Sequence, residues 1–368
     1  MKFRDYYFKR EATISDADTL TIDINVKQPI SYISIEYEAT TGATSCLDRE
    51  IHDDVSAIEL VDGSDVIASL SMLEWRGLNF AERGILPRAV LTEAGGAKQE
   101  ESCVIYFGRH ANDLEYYLDP NKYRNLQLRL THALTISATV GFTTGSGKVT
   151  VRAGIIDEGA LPRKGQMMAK RVYGWTSAGS GDEAIDMPRD YSYRQLLVKS
   201  VLTLTTPQEI IEKVKLSCDA DKYIPVNTYL EDVVDENNRR LGMAKQDKII
   251  LRANDGSALT DIYDIANAHA RSLTTDRICF VELLDAEKVA IGLLDLTAVG
   301  VPAWDATARS NSVVVEGAAP HGMLAVPFGS LTEPAGWLPA QTFGDVKLCV
   351  TQLTAGAACA VILQQIRT

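Results

Sequence analysis

The sequence predicts an all-β protein made of two related β-sandwich halves in tandem. Three observations predict it. Apolar residues alternate with polar ones along many short segments, the period-two signature of a strand with one buried face. Gly, Pro, Asn and Asp separate those segments, as in a sandwich or barrel, and no strand–helix alternation of the parallel α/β kind appears. Several blocks of the first half also recur, in the same order, in the second.

In chain order, the first predicted strands are Thr19–Val26, Tyr32–Ala39 and Ala57–Val61. Ser71–Glu82 has helical apolar spacing, and Cys103–Phe107 is again a strand. In Asn125–Thr131 the alternation is strict: Leu126, Leu128 and Leu130 fall on one side, Gln127, Arg129 and Thr131 on the other. Leu134–Phe142 and Lys148–Ile155 complete the first half. The second half offers Glu212–Cys218, Lys248–Ala253, Ile278–Leu284 and Ser312–Glu316. Ala258–Ala270 is predicted helical, with Leu259, Ile262, Ile265 and Ala266 on one face and Thr260 and Asp261 near its start. Asp345–Thr351 repeats the strict alternation through Val346, Leu348 and Val350, and Ala358–Ile366 closes the chain.

The recurring blocks suggest duplication. Arg4–Phe8 resembles Arg189–Tyr193, Ile33–Ile35 resembles Val214–Leu216, and Asp62-Gly63-Ser64 recurs as Asp255-Gly256-Ser257. Phe107-Gly108 recurs as Phe328-Gly329 and leads into the longest match. There Leu118, Tyr123, Leu126, Leu128, Leu130 and Thr131 align with Leu338, Phe343, Val346, Leu348, Val350 and Thr351. Between the copies the chain is rich in Gly, Pro, Ser and Ala, a composition that breaks regular structure, with Met167–Tyr173 as a short ordered piece. The expected division is a first sandwich over 1–156, a linker over 157–188 and a second sandwich over 189–368.

Composition agrees with two globular units. The chain has 368 residues, 46% hydrophobic and 23% charged, against about 150 residues for an ordinary domain. A net charge of −12 does not suit binding to a phosphate backbone, which needs Lys and Arg to displace counterions. The N-terminus is a local exception: Lys2, Arg4, Lys9 and Arg10 face only Asp5 within ten residues. They form either an arm that touches a genome or an anionic membrane, or a solvated first strand. The six cysteines, at 46, 103, 218, 279, 349 and 359, form no C-x-x-C pair. They read as small buried hydrophobes of a protein made in a reducing cytoplasm. Lys2–Arg10 lacks the apolar core of a signal peptide, and no apolar run approaches the ~20 residues that span a bilayer.

No chemistry is signalled by spacing. His52, His110, His132, His269 and His321 form no zinc-ligand pattern, so no metal, cofactor or catalytic residue is expected. Thr144-Gly-Ser-Gly-Lys148 lacks the first Gly of a phosphate-binding loop and carries Val149 after the Lys, so it reads as a turn between two strands. Gly179-Ser180-Gly181 is no nucleophile elbow, because Ala178 and Asp182 stand where that motif needs Gly. Asp53-Asp54 and Glu231-Asp232 are the acidic pairs any acidic chain contains, and Asp232–Asn238 reads as a solvated loop. Trp75, Trp175, Trp304 and Trp337 are scattered and expected to pack under loops.

Two tandem sandwiches without catalytic motifs resemble the double jelly-roll major capsid proteins of tailless icosahedral phages, archaeal viruses and adenovirus-like particles. The closing strand Ala358–Arg367, and Ala325-Val-Pro-Phe-Gly followed by Gly336-Trp-Leu-Pro339, resemble parts of a second jelly roll in that family. The resemblance implies a non-enzymatic coat subunit of the virion. It would assemble as a homotrimer into pseudo-hexagonal blocks, with neighbouring capsomers and penton or minor capsid proteins as partners. It would place Lys2, Arg4, Lys9 and Arg10 toward the genome or an internal membrane, and Asp219–Gln246 and Thr297–His321 in outward loops or subunit contacts. The rival expectations are a virion spike or receptor- and glycan-binding sandwich, and a glycan-active enzyme of jelly-roll fold.

Overall fold

The computed structural model describes residues 2–47, 49–202, 205–252, 260–261, 266–272, 278–284, 288–294 and 309–368. The alternation read from the sequence becomes burial. On the strand Leu126–Ala133 the three leucines are buried and Gln127, Arg129 and Thr131 are half-buried. Ile33, Ile35 and Tyr37 likewise point inward from the strand Ile30–Cys46, where Ser34, Glu36 and Glu38 point out.

The first half contains β1 (Lys2–Thr13), β2 (Ala17–Asp23), β3 (Ile30–Cys46), β4 (Ala57–Asp62), β5 (Asp65–Leu70), β6 (Ala89–Thr92), β7 (Lys98–Tyr106), β8 (Leu126–Ala133), β9 (Val140–Phe142) and β10 (Lys148–Glu158). One sheet runs β1-β10-β3-β7 and the other β2-β8-β4-β5. Eight strands crossing between two four-stranded sheets in this order form a jelly roll. Its core joins Ile35 and Val151 of one sheet to Leu60 and Leu128 of the other. Helices α1 (Ile51–Asp54) and α2 (Met72–Arg83) lie between strands.

The second half repeats this order. It contains β11 (Gln166–Thr176), β12 (Asp182–Asp186), β13 (Tyr193–Val201), β14 (Ile211–Cys218) and β15 (Tyr223–Tyr229). An excursion follows, through β16 (Ala244–Arg252), β17 (Thr260–Asp261), β18 (Ala266–Ser272), β19 (Ile278–Leu284), β20 (Lys288–Leu294) and β21 (Arg309–Ala318). The roll closes with β22 (Met323–Pro327), β23 (Val346–Gln352) and β24 (Ala358–Arg367); α3 (Pro207–Ile210) and α4 (Leu230–Leu241) are its helices. The sheets are β11-β24-β13-β22 and β12-β23-β14-β15, strand for strand the pairing of the first roll. A second core forms from Leu196, Val214, Leu348 and Val361. The fold is thus a double jelly roll.

The two rolls are joined edge to edge. β5 pairs in parallel with β11 at Ser69 and Lys170, and β6 with β16 at Leu91 and Lys248. The sheet β11-β24-β13-β22 therefore lies between the cores. Leu196 and Val198 face the second core, while Leu197, Ala325 and Ile362 pack with the first. Burial on both faces accounts for the unbroken apolar runs Leu196–Val198 and Ala360–Leu363.

Several expectations change. Gly, Pro and Ser in 157–188 do not leave it irregular: β11 pairs with β24 and β12 with β23. Of the predicted helix Ala258–Ala270, Thr260–Asp261 and Ala266–Ala270 are strand, paired in β-ladders; the rest lies outside the described residues. Asp219–Gln246 is no loop but β15, α4 and the start of β16. Within Thr297–His321, residues 309–318 are β21, and 297–308, with Trp304, lie outside the described residues. Only Val140–Phe142 of the predicted strand Leu134–Phe142 is one. Topology also revises the repeat. Leu126–Leu130 and Val346–Val350 sit on equivalent strands, whereas Ile33–Ile35 lies on β3 and Val214–Leu216 on β14, the counterpart of β4.

Candidate assembly surfaces and the junction between the rolls

The junction is built around α2. Ser71 caps it: its hydroxyl accepts from the Glu74 amide at 3.3 Å, and the Glu74 carboxylate accepts from the Ser71 amide at 3.0 Å. This reciprocal box satisfies two otherwise orphaned donors. Met72, Trp75 and Leu78 of α2 pack into the first core beside Met323 of β22. Gly77 sits where a β-carbon would strike the Met323 side chain, so the helix lies close on the second roll. Trp75 donates its indole N–H to the Ile58 carbonyl at 3.2 Å.

A buried charge crosses the same boundary. Arg194 of β13, 1% exposed, donates to Glu82 of α2 at 2.6 Å and to the carbonyls of Arg109 at 3.1 Å and Leu331 at 3.0 Å. Gln364 links the pair, accepting from Arg194 at 3.1 Å and donating to Glu82 at 2.8 Å. Arg171 and Lys199 of the second roll form ion pairs with Glu74, the latter at 3.4 Å.

A second polar cluster lies beneath α1. His52 Nδ1 is 2.8 Å from Glu101 Oε2, and Arg76 Nε is 3.4 Å from the same oxygen. Burial pushes the Glu101 carboxyl up, but the charges of His52 and Arg76 and the hydrogen bonds from His52 outweigh it and bring it down to about 2. His321 meets His52 edge-to-face at 5.0 Å. Burial, and then the charges of His52, Arg76 and Lys199, hold its imidazole well below the ordinary histidine value. Ligand atoms of Glu50, His52 and Asp53 approach within 4.8 Å of one another. Lys248 forms an ion pair with Glu50 there and supplies the positive charge a metal would bring. Sequence spacing concealed this cluster, since His52, Glu101 and His321 come from three separated segments. The pair Asp53-Asp54 is also not simply solvated: Asp54 is buried, pairs with Arg49 and accepts from the Thr135 amide at 2.8 Å.

Elsewhere the singled-out residues do structural work. Asp16 accepts from the Thr144 hydroxyl and the Gly145 amide, fixing the turn before β10. Trp337 donates to the Ser330 carbonyl at 2.8 Å, and Trp175 to Gln352 at 3.1 Å while stacking on Tyr173. His132 lies 2.9 Å from the Ser15 carbonyl and His110 the same distance from that of Ala111.

The N-terminal basic residues lie on a strand, not a free arm. β1 pairs with β10, Lys2 bonds Glu158 at 2.7 Å, Arg4 bonds Asp157 at 2.8 Å, and Arg10 lies over the Tyr7 ring. On the outer face of β1-β10-β3-β7 a groove of about 360 Å³ runs between Tyr7, Arg10, Glu36, Glu38 and Lys98. Its charges largely neutralise each other: Lys98 bonds Glu38 at 2.5 Å and Glu100 at 2.8 Å, and Arg88 bonds Glu100 at 2.5 Å.

No known protein family's pattern and no curated protein matches the chain. Solved structures do. The Sulfolobus turreted icosahedral virus major capsid protein matches with a TM-score of 0.60 at 7% identity, over 100% of this chain and 97% of that one. The major capsid protein P2 from bacteriophage PM2 matches at 0.53 and 9%, over 100% and 98%. A quasi-atomic model of the PBCV-1 virus capsid matches at 0.56 and 10%, over 99% and 93%. The chain shares the double jelly-roll fold of these proteins.

Proposed function

We propose that this double jelly-roll chain is the major capsid protein of an icosahedral virus, assembling with copies of itself into the shell of the virion. The observation that carries the reading is that the match is complete in both directions. All of this chain lies on 97% of one major capsid protein and 98% of another, and neither roll is left over for a different task. The finer reading is a homotrimer whose six rolls make a pseudo-hexagonal block, joined by neighbouring capsomers and by penton or minor capsid proteins. Two rolls of one topology per chain support it. Catalysis is not part of the reading, since the groove carboxylates Glu38 and Glu100 are occupied by Lys98 and Arg88. Contact with a genome or internal membrane would fall to the exposed basic residues Lys2, Arg4, Lys9 and Arg10 of β1, of which Lys2 and Arg4 also pair at the surface with Glu158 and Asp157. The unit boundary we propose falls just before Gln166 rather than at 189. β11 and β12 pair with β24 and β23 as β1 and β2 pair with β10 and β8.

Negative-stain microscopy of the concentrated protein tests the proposal. Closed shells or hexagonal blocks are expected. Separate single-chain particles at every concentration contradict it.

A further inference from the structure

The seam between β6 and β16 brings together three ionisable side chains from separate segments. β16 pairs in parallel with β6, Lys248 opposite Leu91 and Ile249 opposite Thr92. Glu93 follows β6 directly and is buried, and so is Glu50, the residue before α1. Both carboxylates converge on the Lys248 ammonium: Glu50 forms an ion pair with it, and Glu93 Oε1 lies 3.7 Å from Nζ. The Lys248 side chain is only 12% exposed, unusual for a residue type that is almost never buried.

An amine, a carboxyl and a second carboxyl held together away from water are the reactants and the proton relay of amide formation. Burial pushes the Glu50 carboxyl up, but the charges of Lys248 and His52 outweigh it, so the resting form is an ion pair. One proton passed along the Lys248–Glu50 contact gives a neutral amine and a neutral acid, in a site where burial penalises both charges. Lys248 Nζ then attacks Glu50 Cδ. A pair already fixed in contact needs no encounter, which removes much of the barrier that a free amine and acid face. Glu93 takes a proton from the attacking nitrogen and returns it to the departing hydroxyl. A C–N bond forms, a C–O bond breaks and one water leaves; nothing is oxidised or reduced, and Glu93 is regenerated. Cys46 is no rival nucleophile, because burial, and then the charges of Glu50 and Glu93, push its thiol up to about 12.

We propose that Lys248 and Glu50 become joined by an isopeptide bond that the folded chain makes on its own, with Glu93 as the proton relay. The bond ties α1 of the first roll to β16 of the second roll's excursion, across the seam where β6 and β16 meet. A crosslink between residues so far apart in sequence stabilises by restricting the unfolded chain. It draws on no partner and stands apart from the coat-subunit reading.

The mass of the denatured full chain tests it. The purified protein should weigh one water less than its sequence, and a protease digest should contain a branched peptide that joins Glu50 to Lys248. Lys248→Arg keeps the charge but offers no such amine, and Glu93→Gln removes the relay. Both should show the full sequence mass and melt at a lower temperature than the unaltered protein. A full sequence mass for the unaltered protein overturns the proposal, whether or not the variants fold. A water loss that persists in Lys248→Arg overturns it too, because the bond would lie elsewhere. A branched peptide that still forms in Glu93→Gln overturns the role given to Glu93. None of these outcomes bears on whether the chain assembles into shells.

Discussion

Arg194 and Glu82 hold opposite charges in the interior, and each is tolerable only because the other is there. Replacing Arg194 with Met strands Glu82 in a site that is 4% exposed at its side chain. The expected loss is about 3–5 kcal/mol, read as a lower urea midpoint, and Arg194→Met with Glu82→Gln should recover part of it. The cluster beneath α1 predicts acid sensitivity of two kinds. Glu101 is depressed to about 2 from an ordinary 4.5, so its contribution is full above 4.5 and is lost as pH falls toward 2. His321 is lowered from 6.5, so the unfolded chain takes its proton first and stability falls as pH drops below 6.5. Thermal melts over this range should show both slopes; Glu101→Gln should flatten the lower and His321→Asn the upper. Asn suits position 321, whose φ is +58°. None of these pairings was legible in the sequence, because each joins residues far apart in the chain and local spacing carries no trace of them.

At the scale of elements, strands with one wet face were the legible ones. β8 and β23 alternate strictly and were read almost to the residue. β13 is buried on both faces and has no alternation to read. β15 was hidden by Pro225, which an edge strand tolerates because its outer amides need no partner. The acidic residues of α4 suggest a loop, although Leu230, Val233, Val234 and Asn237 make a helical stripe and Gly242 ends it. α2 was legible from Ser71 onward because its cap is local chemistry. Ser71→Ala should cost about 1 kcal/mol and lower the melting temperature, while Ser71→Asp, which keeps an acceptor at the cap, should not.

At the scale of the whole molecule, duplication was legible mainly where the copies kept both length and alternation, from Leu118 to Thr131 and from Leu338 to Thr351. The match of Ile33–Ile35 to Val214–Leu216 pairs strands that are not equivalent, since generic alternation aligns β3 with β14 as readily as with β13, and Asp255-Gly256-Ser257 lies outside the described residues. In the proposed coat-subunit role, two rolls in one chain exist to build a larger assembly. Absolute mass by light scattering over a wide concentration range tests it most directly. A stable species of three chain masses, or growth from it into shells, is predicted. A single 40.2 kDa chain at every concentration would contradict the claim.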